Sequence, residues 1–220
     1  MRVQRSGHLA ALVIAAILPL AVEEAAGADL FDALYARGQK QNAQLHTFTA
    51  SFTETTSSSL LTRPLVARGK VAVERPSRIA LTYTDPDQRL VIIDGDRMTV
   101  SWPSRRVLQT KDIGASQRRV QKYFVNGTPD DLRGHFAVSA RQTADGPYVI
   151  TMVPTRKQIK EGLSRLELTI DPATLLLSGM TMTFPNGDTK QMTFTDVTPN
   201  APIDQSMFKV PQEGKQEPGK

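Results

Sequence analysis

The chain has 220 residues, is 40% apolar and 22% charged, and carries a formal net charge of +5. That composition excludes an intrinsically disordered chain, and the length is that of one domain. No cysteine is present, which excludes disulfides and thiol nucleophiles and leaves stability to a packed core.

The N-terminus reads as a secretory signal peptide over residues 1–28. Arg2 and Arg5 precede an apolar run over residues 9–22, and Ala26, Gly27 and Ala28 offer small residues to a peptidase. The run is too short to cross a bilayer comfortably. Glu23 and Glu24 lie close to the expected cut. Its removal takes away two arginines and two glutamates, so the net charge stays at +5. With no cysteine to carry a lipid anchor, the expected product is soluble and periplasmic.

After the leader, Leu30, Phe31 and Leu34 form an apolar stripe, and Asp29 is placed to cap a helix over 30–43. Alternation begins at Phe48, Ala50 and Phe52 and predicts a strand. A polar loop follows, and then GKVAVERPSRIALTY. In this stretch Val71 and Val73 share one face of a strand, and Ile79, Leu81 and Tyr83 share one face of the next, around a charged corner at Glu74, Arg75 and Pro76. RLVIIDGDRMTVSW predicts a hairpin: two apolar strands flank Asp94 and Gly95, and Met98, Val100 and Trp102 alternate.

The pattern then changes. Val120, Tyr123 and Phe124 lie on one helical face, and Thr128 caps a second short helix with Pro129 at its first position. Alternating strands resume at Phe136 and Val138, at Tyr148, Ile150 and Met152, at Leu166, Leu168 and Ile170, at Met180, Met182 and Phe184, and at Met192 and Phe194. The polar tail 212–220, with its two glycines and one proline, is expected to be disordered.

The count is nine or ten strands, one long helix and two short ones. A sheet with one apolar face must bury it by curling or by helices, and these helices are too few to cover it. The expectation is a partly covered concave apolar surface, which is either a packed core or a pocket for an apolar ligand. Met98, Met152, Met180, Met182 and Met192 fall on predicted strands, where they serve as core or as an adaptable lining.

Signals of catalysis are absent. His46 and His135 are isolated, no glycine-rich phosphate loop or G-x-S-x-G occurs, and Asp94 and Asp96 read as turn formers. The reading is a non-enzyme with no cofactor and no metal. The doublets Arg105–Arg106 and Arg118–Arg119 read as a solvated face, with a docking patch for an acidic protein or anionic lipid as the alternative; nucleic acid is not an expected partner.

The order of these elements resembles the periplasmic outer-membrane lipoprotein carrier family, LolA. TFTASFTE matches its first strand, GKVAVERPSRIALTY its next hairpin with Arg75–Pro76 at the corner, LVIIDGDRMTVSWP the Asp–Gly hairpin, and NAPIDQSMFKVP the closing segment. The resemblance covers about residues 30–211 and implies a carrier domain over 29–211. It implies a mainly β (α+β) fold, an incomplete, strongly curved antiparallel β-barrel covered by an N-terminal helix and short lid helices. It also implies a monomer that shields lipoprotein acyl chains, taking them from an inner-membrane ABC transporter complex to an outer-membrane acceptor. Alternatives are a carrier of another lipid or glycolipid working with an exporter, and a periplasmic lipid or protein sensor.

The expected lining is Phe52, Val71, Val73, Ile79, Leu81, Met98, Val100 and Trp102, with Val120 and Phe124 as lid contacts. The resemblance gives Arg75 the role of a latch that hydrogen-bonds lid-helix carbonyls and holds the empty cavity closed. Three features depart from the family. Leu81 stands where an aromatic is expected, Glu54 where glutamine is common, and the segment between Val107 and Gly134 matches by position more than by residue.

Overall fold

The computed structural model describes residues 20–114, 128–210 and 215–218. Helix α1 (Leu20–Asn42) leads into strands β1 (Thr47–Ser57), β2 (Leu65–Glu74), β3 (Arg78–Asp85), β4 (Arg89–Asp94), β5 (Arg97–Trp102) and β6 (Val107–Asp112). Helix α2 (Pro129–Arg133) precedes β7 (Phe136–Gln142) and β8 (Tyr148–Pro154). A four-residue helix α3 (Lys157–Lys160) then leads to β9 (Arg165–Ile170), β10 (Leu177–Thr183) and β11 (Thr189–Pro199). A 3-10 turn (Gln205–Phe208) and strand β12 (Lys215–Pro218) follow.

Among the described residues, the strands form one open sheet in the order β12-β6-β5-β4-β3-β2-β1-β11-β10-β9-β8-β7. It is built from two antiparallel meanders, β1–β6 and β7–β11, joined where β1 pairs with β11. The mainly β, unclosed antiparallel fold is as expected from the sequence. Two differences stand out. Helix α1 starts at Leu20 rather than near residue 30, so the expected cut after Ala28 falls inside it. The tail expected to be disordered contributes β12, which pairs in parallel with β6 and satisfies an otherwise unpaired sheet edge.

Period-2 alternation gives the sheet two chemically different faces. One face carries Phe52, Val71, Tyr83 and Met192 in a buried cluster, with Phe48, Val73, Ile79, Leu81, Val91, Met180 and Phe194 packed around it. Further along the same face, Phe31 and Leu34 of α1 bury against Phe136, Ala140 and Met152. Helix α1 therefore roofs the β7–β9 end of this face. Burying each of these α1 side chains contributes about 1.5–3 kcal/mol. The opposite face is closed by the C-terminal turn: Phe208 packs on Ala72 and Ala80, two small side chains that leave room for a ring. Arg78 holds that turn in place, its guanidinium 4.2 Å from the Phe208 ring centroid and its Nη1 donating to Gln205 Oε1 at 2.7 Å.

The predicted cap at Thr128 is present as a reciprocal pair. Thr128 Oγ1 accepts from the Asp131 N–H at 3.1 Å, and Asp131 Oδ2 accepts from the Thr128 N–H at 2.8 Å, with Pro129 opening the helix. Arg133 then joins α2 to α1 through Asp32 Oδ1 at 2.7 Å. Thr128→Ala is expected to cost about 1 kcal/mol and Thr128→Ser a few tenths, read as shifts of the urea midpoint. Equal midpoints for all three proteins would show that the box does not hold α2.

Candidate functional site

The eight described residues of the expected lining lie on a single face of the sheet. The register pairs Val71 with Leu81 and Val73 with Ile79. It continues from Leu81 to Val91 and from Ile79 to Ile93, and then from Val91 to Val100 and from Ile93 to Met98. Directly opposed residues share a face, and Trp102 follows Val100 by two. Phe52 joins them across β2, opposite Gly69. The five strand methionines occupy the same face: Met192 pairs with Met180, Met180 with Leu168, Met182 with Leu166, and Leu166 with Met152.

Phe52 and Val71 are buried, while Val73, Ile79, Leu81, Met98, Val100 and Trp102 are half-buried. Val120 and Phe124 lie outside the described residues.

Beside this face is a cleft of about 720 Å³. Its roof is the C-terminal half of α1, through Phe31, Leu34, Tyr35 and Gly38. Its floor is Ile150 and Ile170 of β8 and β9, with Leu175 at the back and Arg75 and Pro76 at the side. None of the eight residues lines it. The cleft thus lies between the sheet and α1, whereas the sequence reading expected it against the inserted helices.

Two contacts hold the end of α1 over this cleft. Arg75 Nη1 donates to the carbonyls of Asn42 at 3.0 Å and Leu45 at 3.3 Å. Gln41 Nε2 donates to the Thr174 carbonyl at 2.7 Å. The last carbonyls of a helix lack intrahelical partners and carry the negative end of its dipole, so a guanidinium fork satisfies both geometry and charge. Among the described residues, then, the arginine at the β2–β3 corner bonds the end of α1 and not an inserted helix. The Thr174 turn is itself braced by Asp171, whose carboxylate accepts from the Thr174 N–H, the Thr174 hydroxyl and the Ala173 N–H. These bonds, the Thr174 N–H foremost, hold the Asp171 carboxyl below the usual carboxylate range.

One polar island interrupts the apolar face. Glu54, only 7% exposed, accepts from the Tyr83 hydroxyl at 2.8 Å and from Lys190 Nζ at 3.1 Å. The Arg89 guanidinium stacks 3.8 Å from the Tyr83 ring centroid, and the Phe52 ring meets Tyr83 edge-on at 4.9 Å. Sequence reasoning noted Glu54 as a departure and missed the island. Its signal was there to find, since Glu54 continues the alternation of Phe48, Ala50 and Phe52 and so had to point into the apolar face.

Burial, followed by the hydrogen bond from Tyr83 to Glu54, pushes the Tyr83 hydroxyl from its ordinary 10.0 up to about 12. A folded-state value above the unfolded one means that the contribution is fully present below pH 10 and is lost as the pH rises from about 10 to about 12. Absorbance titration of the four tyrosines should show one ionising late, and Tyr83→Phe should remove that step. Four tyrosines titrating together near pH 10 in the wild type would contradict the buried contact.

The geometry defines an open antiparallel sheet whose apolar face is partly roofed by a helix, with a cleft under that helix and Arg75 hydrogen-bonded to the helix end. The family model of the outer membrane lipoprotein carrier protein LolA matches residues 43–211. The chain is 26% identical over 181 residues to an outer-membrane lipoprotein carrier protein of Pseudoalteromonas translucida, covering 80% of this chain and 82% of that protein. An uncharacterised conserved protein from Thermus thermophilus shares the fold at 9% identity, with a TM-score of 0.54 over 86% of this chain and 99% of that one. The structure of the Pseudomonas aeruginosa MucA/MucB complex aligns at 15% identity and a TM-score of 0.49, over 82% of this chain, which spans 60% of the matched chain. The chain belongs to the LolA family of outer membrane lipoprotein carrier proteins.

Proposed function

We propose that the protein is a periplasmic carrier that shields the acyl chains of lipoproteins and transfers them from the inner to the outer membrane. The observation that carries this reading is the one largely apolar face that runs from Trp102 on β5 to Met152 on β8, broken by the Glu54 island and partly roofed by a helix whose end is held by hydrogen bonds. Each methylene buried from water is worth about 0.8 kcal/mol, so an acyl chain laid along this face gains several kcal/mol without any catalytic group. The cleft under α1, at about 720 Å³, falls within the roughly 300–1,000 Å³ usual for small-ligand sites and is where a chain begins to enter. The five methionines adapt the surface to chains of different length and branching. Arg75 keeps α1 down on the empty protein, and entry of a chain exchanges its two hydrogen bonds for apolar burial. Family membership supports an inner-membrane ABC transporter complex as donor and an outer-membrane acceptor as recipient.

The test is native mass spectrometry of the protein purified from its own envelope, followed by lipid extraction. Bound acylated polypeptide is the expected result. A free phospholipid or glycolipid in its place would reassign the cargo, and a protein that is empty under every extraction condition would overturn the carrier reading.

A further inference from the structure

Because the strands alternate in direction, the turns of the sheet fall on two opposite rims, and the two rims differ in charge. One rim holds the β1–β2, β3–β4, β5–β6, β8–β9 and β10–β11 turns. These turns carry six cations, Arg63, Arg105, Arg106, Arg156, Lys157 and Lys160, all exposed, against the acids Asp87, Glu161 and Asp188, and helix α2, which enters β7 from this rim, adds Arg133 and the exposed Asp130 and Asp131. On the other rim, the described turns joining α1 to β1 and β2 to β3, β4 to β5, β7 to β8 and β9 to β10, with residues 200–204 after β11, carry Arg75 against Asp96, Asp145, Asp171 and Asp204. The cations are not gathered into one patch. They run from the β5–β6 turn to the β8–β9 turn, roughly 40 Å along the sheet at about 4.8 Å per strand.

The longest hairpin on the basic rim ends in a large apolar residue that is almost fully exposed. Leu60 is 91% exposed, and Leu65 and Val66 beside it are 57% and 39% exposed. The tip is a built turn and not a loose end: Ser58 accepts from the Leu61 N–H through its carbonyl at 3.1 Å and from the Leu60 N–H through its hydroxyl at 3.3 Å. An apolar tip set in an extended line of cations suits a flat, extended, negatively charged surface with an apolar interior.

We propose that this rim docks the protein on bilayers containing anionic lipid, with Leu60 entering the interface, the exposed arginines and lysines meeting head-group phosphates, and the acidic rim facing away. The proposal is independent of what the apolar face carries.

The chain has no native cysteine, so Leu60→Cys and, on the opposite rim, Asp145→Cys each give one site for an environment-sensitive dye. Both positions are exposed, which leaves the fold undisturbed, and the N-terminus is identical in every variant. Vesicles of mixed phosphatidylglycerol and phosphatidylcholine should blue-shift the dye at 60 and leave the dye at 145 unchanged. Phosphatidylcholine alone should shift neither, and high salt should reverse the response. Arg105→Gln and Arg106→Gln should each weaken vesicle affinity on the order of fivefold. No shift at 60, equal shifts at 60 and 145, or affinity indifferent to both arginine substitutions overturns the proposal. So does a dye at 60 that responds to soluble polyglutamate but not to vesicles, since that result makes the rim a protein-docking surface.

Discussion

Arg75→Leu is expected to leave the protein folded and able to load, and to slow handover of its cargo by about tenfold. Arg75 is exposed at the corner between β2 and β3, so leucine there buries no charge and displaces no core side chain. What disappears is the pair of bonds from Nη1 to the Asn42 and Leu45 carbonyls. Two hydrogen bonds at an exposed site are together worth about 1–2 kcal/mol, close to one factor of ten in an equilibrium. That loss falls on the empty, closed protein, which is the product of unloading. A loaded protein that gains less by emptying holds its cargo more tightly, so the same substitution raises affinity while it slows release. A two-step assay measures both quantities: loading from spheroplasts, then release to acceptor membranes. Unchanged release with unchanged loading would reduce Arg75 to a solvated turn. Impaired loading with normal release would move it to a donor-docking surface.

Gly69→Ala is expected to destabilise the fold by about 3 kcal/mol, a fall of roughly 6–12 °C in Tm for a chain of this size. Glycine is usually a weak choice inside a strand, and alanine would ordinarily help. Here the reverse holds because the Phe52 ring lies across the glycine. A Cβ at 69 would sit 2.8 Å from Phe52 Cζ and 2.9 Å from Cε1, and would collide with the Thr82 carbonyl oxygen. The ring cannot retreat easily, since it is 2% exposed and stacked edge-on against Tyr83. Adding Phe52→Leu to Gly69→Ala should recover part of the loss by removing the ring, but not all of it, because the Thr82 carbonyl remains. Thermal unfolding of the single and double variants decides the matter. A Tm at or above wild type for Gly69→Ala would show that the close approach is not real.

Much of this architecture was legible in the sequence, because the side-chain period of a strand is two residues. Phe48, Ala50 and Phe52, or Met98, Val100 and Trp102, declare their common face without any knowledge of their neighbours. Turn chemistry at Asp94 and Gly95 and at Thr128 and Pro129 placed the element boundaries well, since those preferences are local. Non-local features were harder to read. Nothing near Arg75 in sequence says that its guanidinium reaches residues 42 and 45, because that contact depends on where α1 lies over the sheet. For the same reason the cleft under α1 was not foreseen, and the expected contacts at Val120 and Phe124 lie outside the described residues. The burial of Phe208 was missed although Ala72 and Ala80 mark a shallow place on the opposite face; two alanines report a gap without saying what fills it. The family role of Arg75 as a latch and the lining role of the eight residues remain proposals, resting on a shared face and a hydrogen-bonded helix end.

The junction between β1 and β11 has a consequence for how the chain reaches this state. Within each meander every strand pairs with its neighbour in sequence, so both can zip up from short loops. The seam is different: the contact from Lys190 to Glu54 joins residues 136 apart. Closing so long a loop carries a large entropic cost before any pairing rewards it, which makes the seam the high-contact-order step of folding. The polar island sits on that seam, linking β1, β3 and β11 through Glu54, Tyr83 and Lys190. A one-residue slip of β11 would turn Lys190 to the opposite face and leave the Glu54 carboxylate without its cation inside an apolar surface. The island therefore acts as a proofreader, allowing the two meanders to join in one register only and making a single cooperative unit of what would otherwise be two half-sheets.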